Sequence, residues 1–263
     1  MEREQGELKQ GPSRSSSVPL LPFEGRREYG TGAKAVQTGA KPGVRGRTRD
    51  WSYASGVDTT IIDDAIRKVL EQPRPLPIVQ AGDPVLRRRA DDVPADLDRG
   101  LLSELVAAMR ETMHAAPGVG LAAPQVGLGL RLAVLEDQAG LPGDVADARD
   151  RRPLPFTVII NPEYRQVGHD TATWYEGCLS IAGWQAATER AVTVELRCLD
   201  EDFAPVVERF TGWQARIVQH ETDHLAGTLY LDKAILRSLS DNSSYTQRWS
   251  GADLQQARNQ LGF

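Results

Sequence analysis

The chain has 263 residues, 40% of them hydrophobic, and a formal net charge of −5. The hydrophobic fraction is large enough to form a core. The negative net charge argues against a general nucleic-acid binder, which normally has a positively charged surface. No apolar run approaches the ~20 residues needed to span a bilayer. The charged N-terminus lacks the apolar core of a signal peptide. Two cysteines are too few for a disulfide framework. We therefore expect a cytoplasmic protein that binds neither nucleic acid nor membrane directly.

Residues 1–56 form the first segment, which is rich in Gly, Ser, Arg and Pro and shows no sustained periodicity. Such a segment cannot bury enough apolar surface to offset the entropy of ordering it. We predict a disordered or weakly ordered N-terminal extension, then one ordered domain over residues 57–237. A polar C-terminal tail over residues 238–263 is expected to follow, with a short helix near residues 252–261.

Two amphipathic helices are predicted to open the ordered domain. Ile62, Ile66 and Val69 recur at helical spacing, and Pro73 ends that pattern. The second helix is predicted over residues 96–115, where a stripe of Leu and Met is most simply a core face.

Short strands are indicated beyond the helices, and we expect them at residues 130–135, 156–160, 163–167, 171–175, 192–199 and 206–210. Residues 137–155 are predicted to form a polar loop, residues 168–170 a hairpin turn, and the last two strands a pair. Short strands without regular βαβ alternation are typical of the α+β class with mainly antiparallel β-sheets.

The most informative motif is His-Glu-x-x-His, from His220 to His224, on a helix predicted to begin at Gly212 and end at Gly227. Residues four apart share one helix face, so both imidazoles can bind one ion and Glu221 can reach a water on it. Burying these polar groups without partners would cost ~1–3 kcal/mol each, and a metal would satisfy them together. The alternative is a chance pair of histidines on a surface helix.

Cys178 is the natural third ligand for such an ion. A Cys/His/His set leaves one tetrahedral position for water, as in catalytic sites, and a thiolate favours Fe(II), Zn(II), Ni(II) or Co(II). The alternative is an inert buried thiol, which is our interpretation of Cys198. His114, in the last turn of a helix, and His169, in a turn, are not expected to be ligands.

A glycine-rich segment, Gly118–Gly127, superficially matches the dinucleotide pattern Gly-x-Gly-x-x-Ala. That pattern needs a preceding strand and a following helix, whereas here a helix precedes and Pro124 follows closely. We interpret the segment as a backbone wall that another chain can approach closely, with the amide of Gln125 available to stabilise an oxyanion.

Three motifs in this order, Gly118–Gln125, Glu176–Ser180 and Gln219–Gly227, resemble those of the peptide deformylase family. That family removes the N-formyl group from new polypeptides, and the resemblance covers about residues 72–237. It implies an α+β fold with antiparallel sheets around a central HExxH helix. It also implies hydrolysis of formylmethionyl peptides or nascent chains with release of formate, in transient proximity to the ribosome.

The resemblance implies a role for each matching residue. Cys178, His220 and His224 would be the metal ligands, typically for Fe(II) with Ni(II), Co(II) or Zn(II) as substitutes. Glu221 would act as general base and then general acid.

The same resemblance implies the groups that hold the substrate. The Gln125 amide and the Leu179 backbone N–H would stabilise the oxyanion. Val119, Gly120 and Gly177 would pair with the substrate backbone in a strand-like manner.

The sequence departs from the family pattern beside the motifs. Ala182 stands where many members have Pro, Gln185 stands where an Arg is frequent, and Arg190 matches a structural Arg. Trp213 and Arg216 occupy helix positions where pocket-facing groups are expected. These changes concern the pocket for the substrate side chain rather than the metal ligands.

Two alternative functions stay open at this level. A zinc endopeptidase shares His-Glu-x-x-His but usually completes the site with a downstream Glu or His, and no His follows His224. A non-catalytic binder of formylated N-termini would be suggested by loss of Glu221 or Gln125, and both are present.

Overall fold

A computed structural model describes residues 59–140 and 143–263. The predicted N-terminal extension lies outside the described residues. The structure combines helices with two β-sheets whose paired strands all run antiparallel. The α+β class with mainly antiparallel sheets, predicted from the strand pattern, is therefore confirmed.

Helices α1, Thr59–Leu70, and α2, Arg99–Ala115, pack together at the start of the described chain. In α1 the predicted stripe of Ile62, Ile66 and Val69 is buried. Helix α2 begins three residues later than predicted because Asp98 caps it, its side chain accepting a hydrogen bond from the backbone N–H of Leu101 at 2.7 Å.

Eight strands form the two sheets: β1 Gly120–Ala122, β2 Leu132–Asp137, β3 Leu154–Gln166, β4 Thr171–Cys178, β5 Ile181–Ala191, β6 Thr193–Leu199, β7 Pro205–Thr211 and β8 Ser240–Asp241. The five-stranded sheet has the order β1-β2-β3-β6-β7, and the three-stranded sheet has the order β4-β5-β8. Strands β1 and β4 therefore lie at sheet edges. The predicted β6–β7 pair is confirmed.

Two predicted strands, at residues 156–160 and 163–167, are one continuous strand, β3. The register shifts between Ile160 and Glu163, where Asn161 has a positive φ of 50°. The Asn161 side chain stabilises this conformation with two hydrogen bonds. It accepts from the backbone N–H of Val93 at 2.8 Å and donates to the backbone carbonyl of Val93 at 3.0 Å. Residues 161 and 162, which separate the two predicted strands, thus form an irregularity within one strand.

The hairpin predicted at residues 168–170 is wrong. Strand β3 pairs with β2 and β6, whereas β4 pairs with β5 in the other sheet. The turn, with Gly168 at φ 76°, therefore links two sheets. Strand β5 was not predicted, and residues 137–155, predicted as loop, contain the short helix α3, Gly143–Ala148, and the start of β3.

Helix α4, Gly212–Leu225, carries the His-Glu-x-x-His motif and begins at Gly212 as predicted. It ends two residues before Gly227, which was predicted to close it. It contacts β1, β2, β3, β6 and β7 of the larger sheet and β5 of the smaller one. Gly212 and Gly227 both have positive φ, 58° and 76°. A Cβ atom at Gly227 would also lie 2.7 Å from the carbonyl oxygen of Arg87, so only glycine fits after this helix.

The chain ends in α5, Asn242–Ser244, a π-helical turn over Tyr245–Trp249 and α6, Gln255–Leu261. Trp249, Leu254 and Ala257 are buried in one cluster with Tyr175 and Ala187 of the smaller sheet. Among the helices of the described residues, none has the length and apolar character that crossing a membrane requires.

Candidate metal centre

Three potential ligands converge between β4 and α4. Cys178 ends β4, and His220 and His224 lie one turn apart on α4. One ligand atom from each residue lies within 4.8 Å of the other two, and the Cys178 sulfur is 3.3 Å from His224 Nε2. Metal bonds of ~2.0–2.3 Å fit such a triangle. The structure thus brings Cys178 next to the two histidines, which lie 42 and 46 positions later in the sequence.

The His220 ring is oriented by Glu176. Its Nδ1 lies 2.9 Å from Glu176 Oε2, which leaves Nε2 free for the ligand triangle. Metal-binding histidines usually make such a bond from the second ring nitrogen, because it fixes the tautomer and the ring orientation. The motif in the sequence contains Glu176 but does not reveal this role.

Glu176 is itself held by buried arginines. Arg190 Nε and Nη2 donate to its two oxygens at 2.6 and 2.9 Å, and Arg216 also donates to Oε1. Burial disfavours the carboxylate, but the charge of Arg190 and the hydrogen bond to His220 outweigh it and hold the pKa of Glu176 well below its usual range. The His220 ring therefore faces a fixed negative charge.

Arg190 continues the network away from the ligands. Its Nη1 donates to Asp223 Oδ2 at 2.7 Å, and Asp223 also accepts from Lys233 at 2.6 Å and from the Tyr164 hydroxyl at 3.0 Å. Arg190, noted in the sequence as a structural arginine, thus ties β5 to two carboxylates of the site.

Glu221 lies beside the ligands and is 4% exposed. Burial raises its pKa to about 7, although the charges of His220 and Arg190 oppose that shift. Its Oε2 has no hydrogen-bond partner among the described residues. A buried carboxylate oxygen without a donor is costly, so this atom is suited to a water or substrate proton in the cleft.

A divalent ion fits the donor set. Burial lowers the pKa of His220, but hydrogen bonds to Cys178 and Glu176 outweigh it and raise the pKa to about 10. A metal ion bound to this ring would therefore displace a proton from it. One thiolate and two imidazoles are also the ligands that Fe(II), Zn(II), Ni(II) and Co(II) accept.

Gln125 presents its amide nitrogen to the same site. Its Oε1 accepts from the backbone N–H of Ala122 at 2.8 Å, which directs Nε2 toward the Cys178 sulfur at 3.6 Å and Ser180 Oγ at 3.4 Å. The side chain is 1% exposed. An N–H donor is therefore fixed next to the ligand triangle.

Cys178 and His220 line a cleft of about 690 Å³ between the edge strands β1 and β4. Val119 and Gly120 line one wall and Gly177 and Leu179 the other. Gln80 Nε2 donates to the Leu179 carbonyl at 3.0 Å and fixes that backbone.

The positions that depart from the family pattern also face this cleft. It is lined by Ala182, Gln185, Trp213 and Arg216. The glycine-rich segment forms β1 followed by a 3₁₀ turn, Ala123–Val126, a geometry unlike the strand-then-helix of a dinucleotide site.

The other cysteine and the other histidines do not join the site. Cys198 is 2% exposed, and burial raises its pKa to about 12, as expected of an inert thiol. His114 hydrogen bonds with Glu136 Oε2 at 2.8 Å, and His169 is exposed.

A candidate metal site with a buried carboxylate beside it, in a cleft flanked by two free strand edges, defines a class of protein, the metal-dependent hydrolases. The chain also matches a family model described as polypeptide deformylase over residues 75–239. It therefore belongs to the peptide deformylase family, whose members are metal-dependent.

Named relatives agree with this assignment. The chain is 56% identical over 200 residues to peptide deformylase 3 of Streptomyces avermitilis, covering 76% of this chain and 89% of the relative. It is 48% identical over 189 residues to a peptide deformylase of Bifidobacterium adolescentis, covering 72% and 86%.

Solved structures give the same result. A peptide deformylase from Synechococcus elongatus in complex with actinonin is 32% identical, with a TM-score of 0.53, covering 73% of this chain and 88% of that one. A Met-Ala-Ser-bound class I type b peptide deformylase from Acinetobacter baumannii is 33% identical, with a TM-score of 0.55, covering 60% and 97%.

The activity follows from the family. The protein is a hydrolase that removes the N-formyl group from the N-terminal formylmethionine of newly made polypeptides and releases formate. The endopeptidase and the non-catalytic binder, left open by the sequence, are not favoured by these relatives.

Proposed function

We propose that Cys178, His220 and His224 hold the divalent ion with which this chain hydrolyses formylmethionyl peptides. The observation that carries the proposal is the convergence of their ligand atoms within 4.8 Å. We propose Fe²⁺ as the ion, one per chain, because a thiolate with two imidazoles suits a borderline-soft metal. Zn²⁺, Ni²⁺ and Co²⁺ are the expected substitutes.

Glu221 is proposed as the group that moves protons. A divalent ion, when bound, supplies Lewis-acid activation of water near neutral pH. The Glu221 carboxylate, whose pKa burial raises to about 7, accepts a proton from the attacking water. It then donates that proton to the departing amine, so that formate and a free N-terminus result.

Gln125 and Leu179 are proposed to stabilise the negative charge that develops on the formyl oxygen. Gln125 Nε2 is aimed by the bond from Ala122 to its Oε1, and the Leu179 backbone is fixed through its carbonyl. Donors held before the reaction need no reorganisation when the charge develops, and each is typically worth ~3–4 kcal/mol of barrier.

Val119, Gly120 and Gly177 are proposed to hold the substrate backbone. All three line the cleft, Val119 and Gly120 beside or on edge strand β1 and Gly177 on edge strand β4. An edge strand offers N–H and C=O groups to an added extended peptide. A peptide lying between the two edges would bring its formyl end to Glu221.

We further propose the organisation and setting of the chain. Residues 57–237 would form the catalytic domain with α4 as its central element, supported by the contacts of α4 with strands of both sheets. Residues 1–56 would be an extension, and residues 238–263 a tail with a short helix. The enzyme would act in the cytoplasm on nascent chains, in transient proximity to the ribosome.

The test is formate release from formyl-Met-Ala-Ser by protein purified anaerobically, with the bound metal measured in the same sample. Glu221→Ala should keep the metal and lose turnover by about 10²–10⁴-fold, the usual contribution of a positioned general base. Near-normal turnover of that variant would refute the role of Glu221. Cleavage of internal peptide bonds in casein without formate release would instead favour an endopeptidase.

A further inference from the structure

A series of alternately charged side chains connects the proposed ligand His220 to the surface of the protein. Its inner contacts are those of Glu176 with His220 and with Arg190, described above. Beyond them, Arg190 Nη1 donates to Asp223 Oδ2 at 2.7 Å, and Lys233 Nζ donates to the same oxygen at 2.6 Å. Lys233 is therefore the outer end of this charged series, four contacts away from the ligand.

The outer end of the charged series reaches solvent, whereas the inner members do not. The side chains of Glu176, Arg190 and Asp223 are 4%, 2% and 10% exposed, and that of Lys233 is 37% exposed. Buried charges depend on their protein partners because little water is available to replace them. An ammonium at the surface therefore helps to stabilise a carboxylate inside the protein.

Lys233 completes the charge balance around Arg190. Arg190 bridges two buried carboxylates, Glu176 and Asp223, and each of them has a further cationic partner. That partner is Arg216 for Glu176 and Lys233 for Asp223. Without the lysine, Asp223 would draw more strongly on the guanidinium that it shares. We expect Arg190 to shift toward Asp223 and to loosen the two hydrogen bonds that hold Glu176.

The turn that follows α4 fixes the position of Lys233. It is the 3₁₀ turn Tyr230–Asp232, and the backbone N–H of Lys233 donates to the Tyr230 carbonyl at 3.0 Å. The same turn places the Tyr230 ring against that of His220, with ring centres 6.1 Å apart and planes at 20°. One short segment thus contacts the ligand directly and holds Lys233 beside Asp223.

A lysine suits this position chemically and is an infrequent residue in this sequence. An ammonium is a compact charge with three N–H donors, and Nζ of Lys233 lies 2.6 Å from Asp223 Oδ2 and 3.4 Å from the Tyr164 hydroxyl. Of the 31 Lys and Arg residues, five are lysines, at positions 9, 34, 41, 68 and 233. Reagents that are selective for amines can therefore modify few side chains.

Resting on the proposed function, we propose that Lys233 is a positioning residue for the metal ligand His220 and that its positive charge slows loss of the divalent ion. Lys233 touches neither the ion nor the substrate. It acts through the buried members of the charged series, which hold the His220 ring in the orientation that binds the metal.

The sign of the effect separates this role from direct electrostatics. A positive charge repels a divalent cation, so repulsion through space alone predicts that removing the ammonium of Lys233 slows release of the metal. Loss of ligand orientation predicts faster release instead, because a ligand that is held less firmly binds more weakly.

The test measures transfer of zinc from the zinc-loaded full-length protein to excess EDTA. Lys233→Met should release zinc about tenfold faster than the wild type, the lower end of the losses typical when outer partners of a metal-binding histidine are removed. Lys233→Arg keeps the charge and should restore most of the retention. Lys68→Met is the matched control, because Lys68 is exposed on α1, and its release rate should equal that of the wild type.

A chemical route tests the same charge even if Lys233→Met does not fold. The folded, zinc-loaded wild type is treated with N-hydroxysuccinimidyl acetate until peptide mapping shows that Lys233 is acetylated. Zinc release should then be about tenfold faster. The same treatment should leave release from Lys233→Arg unchanged, since the other amines are present in both proteins.

A spectroscopic readout separates positioning from folding stability. The visible absorption of the cobalt-substituted protein depends on the arrangement of the ligands around the metal. It should shift in Lys233→Met and return in Lys233→Arg. A change in stability alone would leave the spectrum of the folded protein as it is in the wild type, and that result would overturn the positioning role.

The outcomes also separate this role from the proposed function. A wild-type protein that binds neither zinc nor cobalt would overturn the proposed metal site itself. If the wild type binds metal but Lys233→Met releases it at the same rate or more slowly, the role of Lys233 is wrong and the proposed function stands. Equally fast release from Lys68→Met would likewise overturn the role of Lys233.

Discussion

A Cβ atom on residue 120 would lie 2.3 Å from Oε1 of Glu221 and 2.6 Å from its Cγ. The backbone of β1 and the carboxylate of α4 therefore occupy adjoining space that only glycine leaves free. In the proposed mechanism, Gly120 would therefore position Glu221, the general base, and would also offer its own backbone to the substrate.

Gly120→Ala should therefore displace Glu221 without touching the ligands. We expect formate release to fall by about 10²-fold, the loss typical of a misplacement of about 1 Å at a reacting group, while metal content stays at one ion per chain. Gly129→Ala is the matched control, since a Cβ there meets nothing within 4 Å. Equal activity of the two variants would contradict the role assigned to Gly120.

Gln125→Glu tests the oxyanion role with little change in shape. The variant keeps an oxygen to accept from the Ala122 N–H but loses the amide donor. The turnover number should fall by about 10²–10³-fold with a small change in KM, because the lost bond forms mainly in the transition state. A rise in KM with unchanged kcat would instead assign Gln125 to ground-state binding.

Glu176→Gln tests the network that orients His220. Removing this carboxylate leaves Arg190 and Arg216 with less charge compensation, and breaking such a buried pair costs about 3–5 kcal/mol of unfolding free energy. Metal affinity should fall by about 10–100-fold. Losses of this size are typical when a metal-binding histidine loses the group that hydrogen bonds to its other ring nitrogen. Chemical denaturation and competition with a chelator measure the two effects.

Glu195→Gln is the comparison for that experiment. Glu195 also pairs with several arginines, Arg165 among them, but it contacts no ligand. Its substitution should leave metal affinity unchanged, and a loss equal to that of Glu176→Gln would show that the effect is not specific to His220.

The two cysteines should differ in reactivity once the metal is removed. Iodoacetamide should label one thiol in the chelator-treated native protein and none in the metal-loaded protein, because a thiolate bound to metal is not free to attack. Cys198 should react only after unfolding, since it is buried and its pKa is raised to about 12. Peptide mapping identifies the labelled residue, and fast labelling of Cys178 in the metal-loaded protein would argue against its role as a ligand.

The features predicted best from the sequence are those that the spacing of nearby residues determines. The bounds of helix α4 were predicted to within two residues because Gly212, at its start, and Gly227, two residues beyond its end, adopt the positive φ that glycine favours. Helix α1 followed from the periodicity of its buried face. The ligand triad could be proposed because two ligands sit four residues apart and the third belongs to a family motif.

The sequence did not predict the features that depend on contacts between distant segments of the chain. The turn at Gly168 has the composition of a hairpin, but pairing partners elsewhere in the chain assign β3 and β4 to different sheets. Strand β5 was missed because Gly183 and its exposed neighbours interrupt the alternation of buried and exposed residues. The role of Glu176 depends on Arg190 and Arg216, which are 14 and 40 residues away, so no local pattern reveals it.

The most direct measurement is the X-ray absorption fine structure of the iron- or zinc-loaded protein, compared with Cys178→Ser. Our account predicts one sulfur at about 2.3 Å and two imidazole nitrogens at about 2.0–2.1 Å around the metal, with the sulfur signal lost in the variant. A metal without a sulfur neighbour in the wild-type protein, or a sulfur signal that survives the substitution, would contradict the assignment of Cys178, His220 and His224 as the ligands.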